Sequence, residues 1–517
     1  MLRTELIKPV PDLLNQHARE RPDKPAFSDA RRAVTYRELD ERTWRLAGNL
    51  TAWGLHPGER IAFYLDNSVE TAESYLAATR AEAIGVCLDP HAADREVSHM
   101  LSDSGARVLI TDPAHLPTAH EMAADQPRLE LVLCTGGNTS HSTAGMPSIR
   151  SYEEFAASNP TISPPDGRAL DAAAWMLYTS GTTGRPKGVL LSQRSCLWVV
   201  AACWAPIAGL SSADHVLCPL PLHHSYALDL CVLGVLAVGA SEQLLQRFSV
   251  HEVYDRLHEE PVSFLPGVPT MFQYLLESWA DNGPNDTELR CCVSAGAIMP
   301  ASLNQRFETE VAVPLLDGYG ITETSTMVTM NWPTGTRVMG SCGLPLPGSA
   351  VRLVEPATGR DVATGQEGEI WVRGPHVMLG YHNRPQETAE TITDGWYHTG
   401  DLGGLDPHGY LTISGRIKEL IIRGGENIYP AEVETVLTAH GSVKDAAVKG
   451  EPDPTLGEVP VAYVVPETPE HFDSDALLHS CHQHLADFKV PHIVRTVAAI
   501  PRTGSGKIIR GNLGPQH

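Results

Sequence analysis

One segment restricts the possible folds of this chain more than any other: residues 178–189 read YTSGTTGRPKGV, directly after the apolar run 173–177. The loop therefore sits where a strand ends. Thr179, Ser180, Thr182 and Thr183 offer hydroxyl donors, while Gly181, Gly184 and Gly188 let the backbone approach an anion closely. Lys187 adds a compact positive charge suited to phosphate oxygens. The segment is not a GxxxxGK[ST] loop, because Pro186 and Gly188 flank the lysine. Taken alone, it is also compatible with a polar turn of no chemical consequence.

The chain around this loop alternates helical and strand patterns. Leu39, Thr43, Leu46, Leu50 and Trp53 recur at spacings of four and three, which predicts a helix. A strand is expected at 61–65, a helix at 69–83, and further strands at 108–111 and 131–134, giving βαβ units and a largely parallel sheet. Residues 135–168 contain TGGNTSHSTAGMPS and NPTISPPDG and read as a long surface connection. A second alternating block covers 173–319. Short runs at 350–354 and 369–372, broken by Gly and Pro, predict a small all-β section within 340–415. Strand candidates at 446–448 and 461–465 among helical segments predict an α+β tail domain. A chain of 517 residues exceeds what one core organises, so several domains are expected.

Bulk properties exclude some functions. With a formal net charge of −23 and no Lys/Arg-rich run, a nucleic acid or an acidic membrane surface is a poor partner. A nucleotide is not excluded, since a few cations and backbone amides suffice to hold it. The ten cysteines include no C-x-x-C pair, which argues against a disulfide scaffold or a zinc module. The first residues, MLRTELIKPVPDLL, lack the apolar core of a signal peptide. The apolar stretches 196–210 and 228–240 fall short of the ~20 residues of a spanning helix. A cytoplasmic, reduced protein without stable membrane insertion is expected, its oligomeric state open.

TSGTTGRPKGV at 179–189 resembles the signature phosphate loop of the adenylate-forming (acyl-activating) enzymes, which include acyl-CoA synthetases, 4-coumarate–CoA ligases, beetle luciferases and peptide-synthetase adenylation domains. The resemblance extends in order over the chain. It implies an α/β fold: a large N-terminal domain of two βα-rich subdomains and a small β-barrel-like subdomain, then a small mobile α+β C-terminal domain. The division falls into an adenylation domain at 1–415 and a lid at 416–517. In GYGITE, at 318–323, the resemblance places Tyr319 against adenine, Thr322 on the α-phosphate and Glu323 on Mg²⁺, for which a carboxylate is the right hard ligand. Alone, this motif also fits a turn followed by a helix cap. SAGA at 294–297 would border adenine and the acyl pocket through Gly296 and Ala297; the family commonly continues with proline, where this chain has Ile298. In YHTGD, Asp401 would accept from both ribose hydroxyls, as an acceptor-only carboxylate suits a vicinal diol. In GRIK, Arg416 would meet ribose or phosphate oxygens and Lys418 would occupy the hinge. Gly424 and Gly425 of RGGENIYP would let a loop pass close to the pantetheine arm of coenzyme A. PRTGSGK ends on Lys507, which would bridge the attacking carboxylate and the phosphate.

A carboxylate is a poor electrophile, so acyl transfer needs a mixed anhydride with a good leaving group. The implied activity is therefore two-step: ATP and a carboxylic acid give acyl-AMP, and a thiol then takes the acyl group. In PLHHSYAL, at 221–228, His224 would sit beside the reacting carboxylate. Peptide-synthetase domains usually have Asp there, which argues against an α-amino acid. Residues 228–240 hold Asp229 but no Lys or Arg, so a second carboxylate finds no obvious cation and a fatty or aryl acid is the default. No insertion typical of fatty-acyl-AMP ligases is evident, which favours coenzyme A over an acyl-carrier protein. A non-catalytic nucleotide-binding relative is the alternative from another class; intact Lys187, Glu323, Asp401, Arg416 and Lys507 argue against it.

Overall fold

The computed structural model describes residues 2–137, 146–167, 169–179, 185–279, 287–424, 426–502 and 508–514. Two large sheets build the N-terminal part. The first has eight strands in the order Gly380–Tyr381, Lys187–Ser192, Ala173–Thr179, Ile84–Cys87, Arg60–Tyr64, Val108–Thr111, Leu131–Cys134 and Ser148–Ser151. From Ala173–Thr179 to Ser148–Ser151 the pairing is parallel throughout. Val108–Thr111 and Leu131–Cys134 are buried at every position, as strands covered on both faces must be. The second sheet has nine strands, with Leu315–Tyr319, Cys291–Ser294, Phe264–Gly267, His215–Cys218 and Ser241–Leu244 parallel at its centre.

The helix expected from Leu39 to Trp53 is Tyr36–Trp53. Thr35 accepts from Glu38 N while the Glu38 carboxylate accepts from Thr35 N, a reciprocal cap, and Gly54 closes the other end at φ +112°. The helix expected at 69–83 is Val69–Arg80 and is buried along its whole length. Its charges are matched locally: Glu73 by Arg42 at 2.6 Å, and Arg80 by Asp166 at 3.0 Å.

Two expectations need correction. The connection at 135–168 contains the strand Ser148–Ser151 and the helix Tyr152–Ala157. Ile149, Tyr152 and Phe155 are buried there, but four residues of strand are too few to show a period. The section expected to be all-β is a five-stranded antiparallel sheet, yet it also holds the helix Pro385–Thr391, opened by a proline in its first turn. The apolar stretches near 200 and 230 are buried helical segments that widen into π-turns at Val200–Trp204 and Leu228–Gly234. Across them Trp204 Nε1 donates to Asp229 Oδ1 at 2.7 Å, and burial pushes the Asp229 carboxyl well above its usual range. Among the described residues no helix is long and apolar enough to cross a membrane. All ten cysteines are buried.

The tail is a separate α+β unit. Val443–Asp453 and Gly457–Pro466 pair antiparallel, Ile493–Thr496 joins in parallel, and Pro430–Thr438 and Ser474–His484 supply the helices around a distinct apolar cluster.

Candidate active site

Thr179 and Lys187 face each other across the antiparallel pair Ala173–Thr179/Lys187–Ser192. Ser180, Gly181, Thr182, Thr183 and Gly184 lie outside the described residues. Lys187 is 7% exposed. Its ammonium pairs with Glu387 of Pro385–Thr391 and stands 4.9 Å from the ring centroid of Tyr381. Tyr381 belongs to the short strand beside Lys187–Ser192, opposite Val189. Its hydroxyl donates to Glu323 Oε1 at 3.0 Å, and burial together with that carboxylate raises the phenol pKa. The Lys187 ammonium and the Glu323 carboxylate are thereby joined through one tyrosine.

Glu323 lies in the single turn Thr322–Thr324, after the strand Leu315–Tyr319. The chain folds back sharply here: Ser325 and Thr326 adopt φ of +47° and +84° although neither is glycine. A Cβ on Gly320 would stand 1.7 Å from the Thr326 carbonyl oxygen. Backbone cannot yield as a flexible side chain does, so Gly320→Ala should cost more than about 3 kcal/mol and displace Thr322 and Glu323. Thermal unfolding and ATP binding of that variant check this; wild-type values for both would show that the turn tolerates a side chain.

Thr322 Oγ1 lies 3.4 Å from Ser225 Oγ, which brings residues 221–228 to this turn. His224 immediately precedes the short helix Ser225–Ala227, its ring 4.4 Å from that of His223. Tyr226 is buried, stacks on Trp204 at 6.0 Å and donates to Val293 O at 3.0 Å. The segment is thus tied to the strand Cys291–Ser294, whose carboxyl end leads into Gly296 at φ +90° and Ala297. Ile298, where the family pattern has proline, is 43% exposed.

Asp401 and Arg416 are opposed across the strands Trp396–Leu405 and Leu411–Arg416. Arg416 Nε donates to Asp401 Oδ1 at 2.9 Å, and Tyr319 Oη donates to Oδ2 at 2.6 Å. Both oxygens of the buried carboxylate are therefore held in place, and burial with the Asp401 charge raises the Tyr319 phenol pKa. Lys418 follows two residues on; burial and the charge of Lys187 lower its pKa, which places the two amines in one electrostatic neighbourhood. Gly424 takes φ +59° in the hairpin that pairs Arg423 with Glu426, and its N–H donates to Leu456 O at 2.7 Å. Gly425 and Lys507 lie outside the described residues. Arg502 and Ile508, on either side of the Lys507 segment, form an antiparallel bridge on the tail domain.

The contacts form two sets, Lys187–Tyr381–Glu323 and Tyr319–Asp401–Arg416; Thr322 shares the turn of Glu323, Lys418 feels the charges of Lys187 and Arg416, and His224 and Gly296 stand at adjoining chain ends. No contact described ties Gly424 to them. Sequence reasoning missed Tyr381 and Glu387. Glu387 reads as an ordinary acidic residue in a helix first turn, and it lies 200 positions from the lysine it pairs.

A profile described as AMP-binding enzyme matches residues 14–382, and one described as AMP-binding enzyme C-terminal domain matches 432–507. A feruloyl-CoA synthase from Amycolatopsis sp is 36% identical over 499 residues, covering 96% of this chain and 97% of that protein. A naringenin synthase from Pestalotiopsis fici is 37% identical over 515 residues; the match covers 96% of this chain and only 18% of that protein. Among solved structures, o-succinylbenzoate CoA synthetase from Bacillus subtilis with its acyl-adenylate intermediate is 30% identical, with a TM-score of 0.86 and 98% of each chain covered. The same synthetase with ATP and magnesium ion gives a TM-score of 0.84, covering 97% of this chain and 98% of that one.

Proposed function

This chain belongs to the AMP-binding enzyme family, and from that membership we propose that it is an ATP-dependent carboxylic acid–CoA ligase acting on an aryl or fatty acid. The carboxylate of the substrate attacks the α-phosphate of ATP, giving acyl-AMP and pyrophosphate. The thiol of coenzyme A then displaces AMP, giving the thioester, AMP and a proton. The observation that carries this reading is the joined set of Lys187, Tyr381 and Glu323 on one side and Asp401, Tyr319 and Arg416 on the other.

Each member has a task in that scheme. Lys187 and the hydroxyl-rich loop hold the leaving phosphates, and Thr322 donates to the α-phosphate. Asp401 receives the ribose diol, with Arg416 and Tyr319 fixing its two oxygens. Thr179 to Gly184 complete the phosphate cradle, while Gly296 and Ala297 border adenine. Glu323, a half-buried carboxylate fixed by Tyr381, has the donor chemistry to hold Mg²⁺, which would neutralise charge on the phosphates as pyrophosphate departs. His224 lies beside the carboxylate to be activated, and Lys507 neutralises the charge of the adenylation transition state.

The two half-reactions share one adenylate, which calls for a two-state element. The boundary between 1–415 and 416–517 supplies it: rotation near Lys418 carries Lys507 away and brings the Gly424–Gly425 turn in for coenzyme A. The relatives that act on feruloyl and o-succinylbenzoyl groups support the aryl class, and the apolar surroundings of Tyr226 suit a ring or a chain.

Pyrophosphate release with Mg·ATP, across aryl, fatty and dicarboxylic acids with and without coenzyme A, tests the proposal. Acid-dependent release that becomes sustained thioester production with coenzyme A is expected. Release limited to about one turnover despite coenzyme A would redirect the acceptor to a carrier protein. No release with any acid would overturn the assignment.

A further inference from the structure

The first sheet has a second feature that adenylation does not use. From Arg60–Tyr64 the chain moves to its neighbour Ile84–Cys87 on one side, and then crosses to Val108–Thr111 on the other. The strand order reverses at this point, and open α/β sheets bind ligands outside the carboxyl ends of the strands at such a reversal. The residues that follow these three strands are Asp66, then Asp89 and His91, then Asp112 and His115.

These side chains converge. One ligand atom each from Asp66, His91 and His115 lies within 4.8 Å of the others. His91 Nε2 stands 3.0 Å from Asp66 Oδ1, close to the about 3.3 Å between neighbouring ligands on a tetrahedral ion with bonds of about 2.0–2.1 Å. Gln246 Nε2 donates to the other Asp66 oxygen at 2.7 Å, which turns Oδ1 toward the group. His115 Nδ1 faces Asp112 Oδ1 at 2.9 Å, and Asp112 is itself fixed by the backbone N–H groups of Ala114 and His115 at 2.9 Å each. A carboxylate behind an imidazole sets its tautomer and directs the remaining nitrogen to a metal. His223 packs nearby, with Nε2 3.6 Å from Asp89 Oδ1; burial, with His91 beside it, pushes that imidazole down to about 3.

We propose that Asp66, His91 and His115 bind a divalent transition-metal ion of the zinc class at this strand reversal, with Asp112 positioning His115. Two imidazoles and one carboxylate are a borderline-soft set that suits zinc over magnesium, and three protein ligands leave a fourth position for water. The site shares no residue with the nucleotide set. It adjoins the acyl segment through His223, the neighbour of His224.

The test uses full-length, tag-free protein stripped with a chelator and titrated with Co²⁺. The visible bands of a four-coordinate ion are the signal, and zinc content after dialysis is measured in parallel. The wild type is expected to take up one equivalent with intense bands. His91→Ala and His115→Ala are expected to bind at least about 100-fold more weakly, and Asp112→Asn about 10- to 100-fold more weakly, as for other residues behind a metal ligand. The exposed His258→Ala control should match wild type. His91 is 46% exposed, so its variant is expected to unfold at the wild-type temperature. Absence of saturable uptake near one equivalent, or uptake retained by both histidine variants, would overturn the proposal and leave adventitious binding to surface histidines.

Discussion

Lys507→Ala is expected to slow acyl-AMP formation at least ~10²-fold, the scale of a lost charge interaction made in the transition state. The reasoning is differential. As the carboxylate approaches the α-phosphate, two anionic groups are forced together, and an ammonium between them is worth far more at that moment than in the ground state. Arg502 and Ile508 bridge to each other, and Arg502 is also bound to Asp445 at 2.8 Å, with no part taken by the Lys507 amine. Removing the amine should therefore leave the tail domain folded. Thioester formation from preformed acyl-AMP separates the half-reactions and should survive far better. Equal loss in both would place Lys507 outside adenylation.

Asp401→Asn is expected to raise the KM for ATP by about 10²-fold, with a smaller change in kcat. Hydrogen bonds to a charged group contribute about 1.5–3 kcal/mol each, so two bonds to the ribose diol at the lower end account for that factor. The substitution also breaks the pair with Arg416, but that guanidinium is 42% exposed and water can take the place of its partner. Stability should change little. A sharper readout is 2′-deoxy-ATP: the wild type should discriminate against it, and Asp401→Asn should lose most of that discrimination. Tyr319→Phe removes only the donor that holds Oδ2 and should lie between the two. Unchanged discrimination in Asp401→Asn would show that the carboxylate does not read the sugar.

The sequence carried the parallel sheets well, because runs such as 108–111 and 131–134 have no other use than as strands buried on both faces. It carried the short motifs at 318–323 and 397–401, whose Tyr319 and Asp401 the fold brings into contact. It did not reveal the π-turns at Val200–Trp204 and Leu228–Gly234, since segments apolar all round but for Asp229 show no period that distinguishes one helical pitch from another. Nor did it reveal Glu387 or Tyr381, whose roles arise only when the strand Gly380–Tyr381 docks beside Lys187–Ser192. The convergence of Asp66, His91 and His115 was equally hidden. Each stands alone in its own loop, and only the crossing of the chain over Arg60–Tyr64 brings the loops together.

The Lys187–Glu387 pair makes the phosphate cradle a competitive site even before nucleotide arrives. Glu387 is an anion on a tether, present at an effective concentration that a small dissolved ion does not match. Chloride or a free monocarboxylate gains little by displacing it, because one charge is exchanged for one charge and the tether favours the incumbent. On the proposed reading a triphosphate brings several charges to Lys187 where Glu387 brings one, so it wins the exchange. If Lys187 holds the nucleotide phosphates as proposed, the pair is a filter on anion valence, and a product that keeps only one phosphate loses that advantage as soon as pyrophosphate has gone.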